Sequence, residues 1–193
     1  MKGKLWCLLL GISFLACNQV KDEKPAVDTL AVGPSDTLIM KKKDTTTLVV
    51  NKVMIKTGEV PPQQIVEFAK TLIGVPYKYG STDPNVGFDC SGFITYVFNH
   101  FNIKVPRSSI EFTEVGRTVY LDSAKAGDLI LFTGTDSTER HIGHMGIITN
   151  NQNGKLEFIH STSGKQYGVT ITPMNKYYLG RFIRIARVFT QNE

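Results

Sequence analysis

Residues 88–101 read Phe88-Asp89-Cys90-Ser91-Gly92-Phe93-Ile94-Thr95-Tyr96-Val97-Phe98-Asn99-His100-Phe101. Behind the cysteine, Phe93, Ile94, Val97, Phe98 and Phe101 recur at helical spacing, which predicts a buried helix with Cys90 at its N-terminus. Unpaired N–H groups and the positive end of the helix dipole favour a thiolate there, so the position predicts a lowered thiol pKa and a reactive sulfur. The other reading of a lone cysteine is a small, inert core residue. Upstream, residues 75–89 are crowded with turn formers, among them Pro76, Gly80, Pro84 and Gly87, and form a loop that delivers the chain to the helix.

The surrounding chain has 193 residues, 41% hydrophobic and 20% charged, which excludes a disordered polymer, a collagen-like repeat and a polytopic membrane protein. Lys and Arg number 22 against 17 Asp and Glu, a formal charge of +5 that does not call for a nucleic-acid partner. The 3 cysteines, Cys7, Cys17 and Cys90, cannot close into a disulfide framework. Lys2 and Lys4 precede an apolar run from Leu5 to Ala16, the layout of a secretory signal over residues 1–16. That run is too short for a transmembrane helix, which needs about 20 apolar residues.

Phe14-Leu15-Ala16-Cys17 resembles the lipobox of bacterial lipoproteins, which implies acylation of Cys17 and a protein held to the membrane by a lipid anchor. Lys21, Asp22 and Glu23 resemble the short charged tag that directs some lipoproteins of the outer membrane to the cell surface. Residues 17–60 then read as a lipidated N-terminus and polar tether, with apolar patches at 48–50 and 53–55 that predict a short edge strand or strap. The globular domain is expected over 61–193, opening with a helix from Gln63 to Ile73 that Gly74 stops.

A thiol hydrolase needs a base, and the chain has 4 histidines. His100 ends the Cys90 helix, where it suits the C-terminal dipole. His144 opens an apolar strand pattern through Ile148, and His160 closes a second one from Leu156. Neighbouring strands would present both imidazoles to the thiol, His144 as general base and His160 as the group that fixes its tautomer. Satisfied structural histidines are the competing reading. A zinc site of Cys90 with His141, His144 and His160 is disfavoured, because His141 and His144 fall on opposite faces of one strand; neither metal nor cofactor is expected.

Pro76-Tyr77-Lys78-Tyr79-Gly80 followed by Phe88-Asp89-Cys90-Ser91-Gly92-Phe93 resembles the nucleophile motif of the NlpC-type cell-wall cysteine peptidases, a papain-like family. Val105-Pro106-Arg107-Ser108, Ala126-Gly127-Asp128-Leu129, His144 to Ile147 and Phe158 to Ser161 match further family segments in the family's order. The resemblance implies an α+β papain-like fold, with the nucleophile helix packed on a mainly antiparallel sheet. The strands expected in it are Asp128–Thr133, Gly143–Thr149, Leu156–Ser161 and Phe182–Phe189.

It further implies an endopeptidase of peptidoglycan stem peptides, cutting between γ-D-glutamyl and a diamino acid in the bacterial cell envelope. Cys90 would be the nucleophile, His144 the base and His160 the orienting residue. Tyr77, Asp89 and Ser91 would contact the substrate, Asp89 by pairing with a free alanine amine. Arg107 and Asp128 read as structural residues, a charged pair or turn ligands, and the polar stretch Thr133–Gly143 as a wall or cover of the cleft. An N-acyl amidase or acyltransferase on the same scaffold, or a lipoprotein that binds wall fragments without cutting them, are the rival functions.

Overall fold

The computed structural model describes residues 52–192. The signal segment, Cys17, the charged tag and most of the tether lie outside the described residues. The first helix, α1 (Pro62–Thr71), carries proline in its first turn and buries Ile65, Val66 and Ala69. It ends two residues before the expected Ile73, and Gly74 takes φ +92° in the turn that follows. A hairpin of β1 (Thr82–Asp83) and β2 (Gly87–Phe88) leads into α2 (Cys90–His100), so the predicted nucleophile does occupy the first helical position.

Strands β3 (Arg117–Val119), β4 (Leu129–Thr133), β5 (Ile142–Gln152), β6 (Lys155–Thr162) and β7 (Gly168–Pro173) follow, then the short helix α3 (Lys176–Arg181) and β8 (Phe182–Arg187). The sheet is antiparallel throughout, in the order β3-β8-β4-β5-β6-β7. All four expected strands exist. β8 stops at Arg187, with Val188 and Phe189 continuing into the core as irregular chain, and β6 runs past His160 to Thr162.

β4 is buried at all five positions because both faces of the sheet are covered. Leu129 and Leu131 meet α1 and α2 in one cluster with Phe93, Val97, Phe98, Met145, Ile147 and Ile159. Ile130 and Phe132 meet Ile148, Phe158, Tyr178 and Ile185 in a second cluster on the opposite face. Period-2 alternation thus feeds two cores from one strand. Burying each large apolar side chain contributes about 1.5–3 kcal/mol before conformational entropy is subtracted.

Part of the expected strap is present ahead of α1. Val53 bridges Val115, with Val53 N–H donating to the Glu114 carbonyl at 2.9 Å and Gly116 N–H to the Val53 carbonyl at 3.0 Å. Ile55 and Thr57 are buried, so the packed chain begins before residue 61.

Candidate active site

Asp89 starts α2. Its carboxylate accepts the Gly92 N–H as an N-cap, so the unbonded amides at the helix start are those of Cys90 and Ser91. The loop ahead is fastened on both sides. Lys78 N–H donates to the Phe88 carbonyl and Phe88 N–H to the Pro76 carbonyl, both at 3.0 Å, while the Ser161 hydroxyl donates to Phe88 from β6 at 2.7 Å. The nucleophile is therefore positioned by the sheet as well as by its helix.

His144 alternates regularly with Gly146 and Ile148 and stands next to a slip in register. Phe132 pairs with His144 but Thr133 pairs with Ile142, so Gly143 is an extra residue in β5. The bulge puts Ile142 in the helix-side core with Met145, while His144 keeps the face of Ile148, near Phe132 and Tyr178 with ring centroids 6.0 and 6.3 Å away. His160 stands on the same face of β6. Between them Gly146 leaves the space: a Cβ there would lie 3.2 Å from that of His160 and 2.9 Å from the Phe158 ring. His144 Nε2 and His160 Nδ1 meet at 2.8 Å, and His160 Nε2 lies 2.9 Å from Thr172 Oγ1 on β7.

Cys90 and His144 line one cleft of about 650 Å³, together with Tyr77, Gly134, Thr135, Gly143, Thr172, Tyr177, Tyr178 and Arg181. Its size suits a peptide-scale ligand. The thiol makes a long contact, 3.9 Å, to the Gly143 carbonyl. Burial pushes the Cys90 thiol up to about 11, with the Asp89 charge adding to the rise, against a smaller pull downward from the backbone N–H groups of Ser91 and Met145. The lowered pKa expected from the helix terminus is thus overturned: desolvation outweighs the dipole. Burial also holds His144 well below its ordinary range, aided by His160 and Arg181, and brings His160 down to about 3. Burial thus favours the uncharged form of all three groups.

Tyr77 lines the cleft, half-buried, and its phenol is raised by burial first and then by the nearby Cys90 and Asp89. Asp89 and Ser91 are not among the residues that line it. Arg107 grips Asp89 through two bonds, at 3.1 and 2.8 Å, and donates to the Ser91 hydroxyl at 3.1 Å. The two sequence-predicted structural charges therefore have separate partners, Arg107 with Asp89 and Asp128 with Arg187. His141 precedes β5, is exposed, sits 3.5 Å from Glu139 and lines a different depression, so the three-histidine set is not assembled. His100 stacks flat on Phe68, centroids 3.7 Å apart. Gly134 and Thr135, from the polar stretch after β4, form part of the cleft wall. Sequence reasoning passed over Thr172, Tyr178 and Arg181.

Residues 74–188 match the NlpC/P60 family. The chain is 32% identical over 140 residues to the gamma-DL-glutamyl hydrolase of Bacillus subtilis, covering 72% of this chain but only 33% of that protein. It is 32% identical over 179 residues to the murein DD-endopeptidase MepS/murein LD-carboxypeptidase of Escherichia coli, covering 92% of this chain and 85% of that one. Among solved structures, an NlpC/P60 family protein from Bacillus cereus superposes with a TM-score of 0.60 at 25% identity, over 69% of this chain and 42% of its own.

Proposed function

This chain belongs to the NlpC/P60 family, and on that premise we propose that it is a cell-wall cysteine endopeptidase that hydrolyses the γ-D-glutamyl–diamino acid bond of peptidoglycan stem peptides. The observation that carries this reading is the cleft shared by Cys90, at a helix start, and His144, whose Nε2 is 2.8 Å from His160 Nδ1. The relative named as a gamma-DL-glutamyl hydrolase supports the choice of bond. A peptidoglycan substrate puts the work in the cell envelope.

In this reading the tautomers follow from the geometry. His144 must accept the thiol proton, so Nδ1 is bare and the Nε2–H donates to His160 Nδ1; His160 in turn donates from Nε2 to the Thr172 hydroxyl. The reverse chain would protonate Nδ1 and remove the base. Proton transfer from Cys90 to His144 accompanies attack of sulfur on the carbonyl carbon. The developing oxyanion is met by the amides at the helix start, with Tyr77 beside them; loss of one such donor costs about 2.7–4 kcal/mol in comparable sites. Collapse breaks the C–N bond, His144 protonates the leaving amine, and a thioester remains. Water, deprotonated by the same imidazole, then releases the acid and restores the thiol. Asp89 and Ser91 are assigned as substrate contacts, both side chains held by Arg107.

A second reading, cleavage at a cross-link, is favoured by the extent to which this chain covers the murein DD-endopeptidase. Mass spectrometry of products from defined peptides separates the two. Release of L-alanyl-D-glutamate from a stem tripeptide is expected. Cutting only between D-alanine and a diamino acid supports the second reading, products joined to an added amine support an acyltransferase, and binding without cleavage contradicts both hydrolytic readings.

We also propose that residues 1–16 are removed and that Cys17 carries the lipid anchor of an outer-membrane lipoprotein. The mature N-terminal peptide should then begin at Cys17 with the mass of a diacylglyceryl group; an unmodified cysteine would refute this.

A further inference from the structure

The cleft that holds Cys90 and His144 is lined by two cations, Arg181 from α3 and Lys165 from the β6–β7 turn, and, among the described residues, by no acidic one. Arg181 is only 7% exposed. Its Nε donates to the Gly134 carbonyl at 2.8 Å, Nη2 to the Thr133 carbonyl at 2.8 Å and Nη1 to the Tyr177 hydroxyl at 2.7 Å. All three acceptors are neutral, and among the described residues no carboxylate pairs with it. A guanidinium has five N–H groups in a planar fork, so one remains on each Nη nitrogen. Arg187, the other arginine buried to this degree, is clasped through two bonds by Asp128. Keeping a buried guanidinium without a counter-ion is costly, and the cost is recovered when an anion enters the cleft.

The position of Arg181 says which part of a substrate would bring that anion. Its guanidinium carbon lies 4.9 Å from the Tyr177 ring and 5.8 Å from that of Tyr178, and Tyr178 in turn packs against both imidazoles, 6.3 Å from His144 and 5.6 Å from His160. Arg181 therefore stands on the imidazole side of the site, where the leaving amine receives its proton. Asp89, expected to pair with the free alanine amine of the acyl portion, and Ser91 belong instead to the start of α2.

We propose that Arg181 and Lys165 form an anion subsite that binds a free carboxylate on the amine-side residue of the substrate. The subsite selects a diamino acid that keeps a carboxylate at its distal carbon, as diaminopimelate does, over one that lacks it, as lysine does. The assignment of the amine side rests on the hydrolytic reading given above; the anion subsite itself is a statement about binding. Arg181 supplies a fixed bidentate fork, and Lys165, exposed on its turn, supplies a mobile charge at the mouth.

Two peptides test it, L-alanyl-γ-D-glutamyl-diaminopimelate with its α-carboxylate amidated in both and its distal group either carboxylate or carboxamide. Calorimetry with the Cys90→Ala protein measures binding without turnover. The carboxylate peptide is expected to bind about tenfold or more tightly, with the preference narrowing in a Lys165→Ala background and at high salt. Lys165 is exposed, so that variant should fold normally; Arg181→Lys, which keeps charge but loses the fork, should narrow the preference further. Equal binding of the two peptides by the Cys90→Ala protein overturns the proposal. Turnover of the same peptides by the unsubstituted protein is the separate check: a binding preference without cleavage leaves the subsite standing and removes the hydrolytic reading.

Discussion

His144→Ala should lower kcat on a cleavable stem peptide by about 10²–10⁴-fold, the contribution of a positioned general base and acid, with a much smaller change in KM. The thiol is pushed up to about 11 by burial, so without a partner it stays protonated at neutral pH and is a poor nucleophile. The pH profile gives the sign. The imidazole must be neutral to act, and its pKa lies well below 6.5, so kcat/KM should hold a plateau through neutrality and fall only on the acid side of the ordinary histidine range. The alkaline limb should appear above the ordinary thiol range, toward 11. The profile is still a bell, widened at both ends by desolvation.

His160 acts through His144 and is a positioning residue. His160→Ala should cost less in kcat and move the acid limb to higher pH, because water admitted beside His144 lowers the penalty for protonating it. His160→Asn, which can still accept from Nε2, should recover part of the loss. An alanine variant of His144 with nearly unchanged kcat, or an acid limb that stays put in His160→Ala, would contradict this arrangement.

The second large effect concerns stability. Asp128, at 0% side-chain exposure, accepts from Arg187 at 3.0 and 2.8 Å and from the Lys125 N–H at 2.9 Å. It stands at the head of β4, the strand that carries Phe132 to His144 and Thr133 to Arg181. Asp128→Ala leaves the Arg187 guanidinium buried without its anion, so a loss of about 3–5 kcal/mol is expected, a large part of the roughly 5–15 kcal/mol that holds a domain together. In thermal unfolding this corresponds to a drop on the order of 10 °C. An apolar replacement of both partners, Asp128→Leu with Arg187→Met, should be less destabilising than Asp128→Ala alone. A melting temperature unchanged in Asp128→Ala would show that Arg187 finds another partner.

The helix that bears Cys90 was legible because Phe93, Val97 and Phe98 repeat at a period only a helix satisfies, and β4, β5, β6 and β8 because apolar runs bounded by turn residues have few other uses. Cys90, His144 and His160 could be picked out for the same reason, each standing at the edge of such a pattern. β7 and α3 were not. Gly168-Val169-Thr170-Ile171-Thr172-Pro173 carries only two large apolar residues, Val169 and Ile171, too few to stand out from the polar turn before it, and the helix that follows has only six residues.

Thr172 gains its role from pairing across the sheet: His160 is opposite Thr170, so Thr172 is its diagonal neighbour on one face. Arg181 gains its role from the fold of the loop after β4, whose carbonyls it holds. The face of His144 follows from alternation with Ile148, whereas the extra residue at Gly143, which puts Ile142 on the side of Met145, is a register slip that strict alternation does not reveal. The thiol pKa was misjudged because the helix terminus is visible in sequence and the depth of burial is not.

The central claim, that Cys90 cuts stem peptides with His144 as its base, is tested most directly by mass spectrometry of peptidoglycan fragments digested with the purified protein and, in parallel, with its Cys90→Ala variant. New stem-peptide fragments from the parent protein and an undigested spectrum from the variant are predicted. Identical products from both would contradict it.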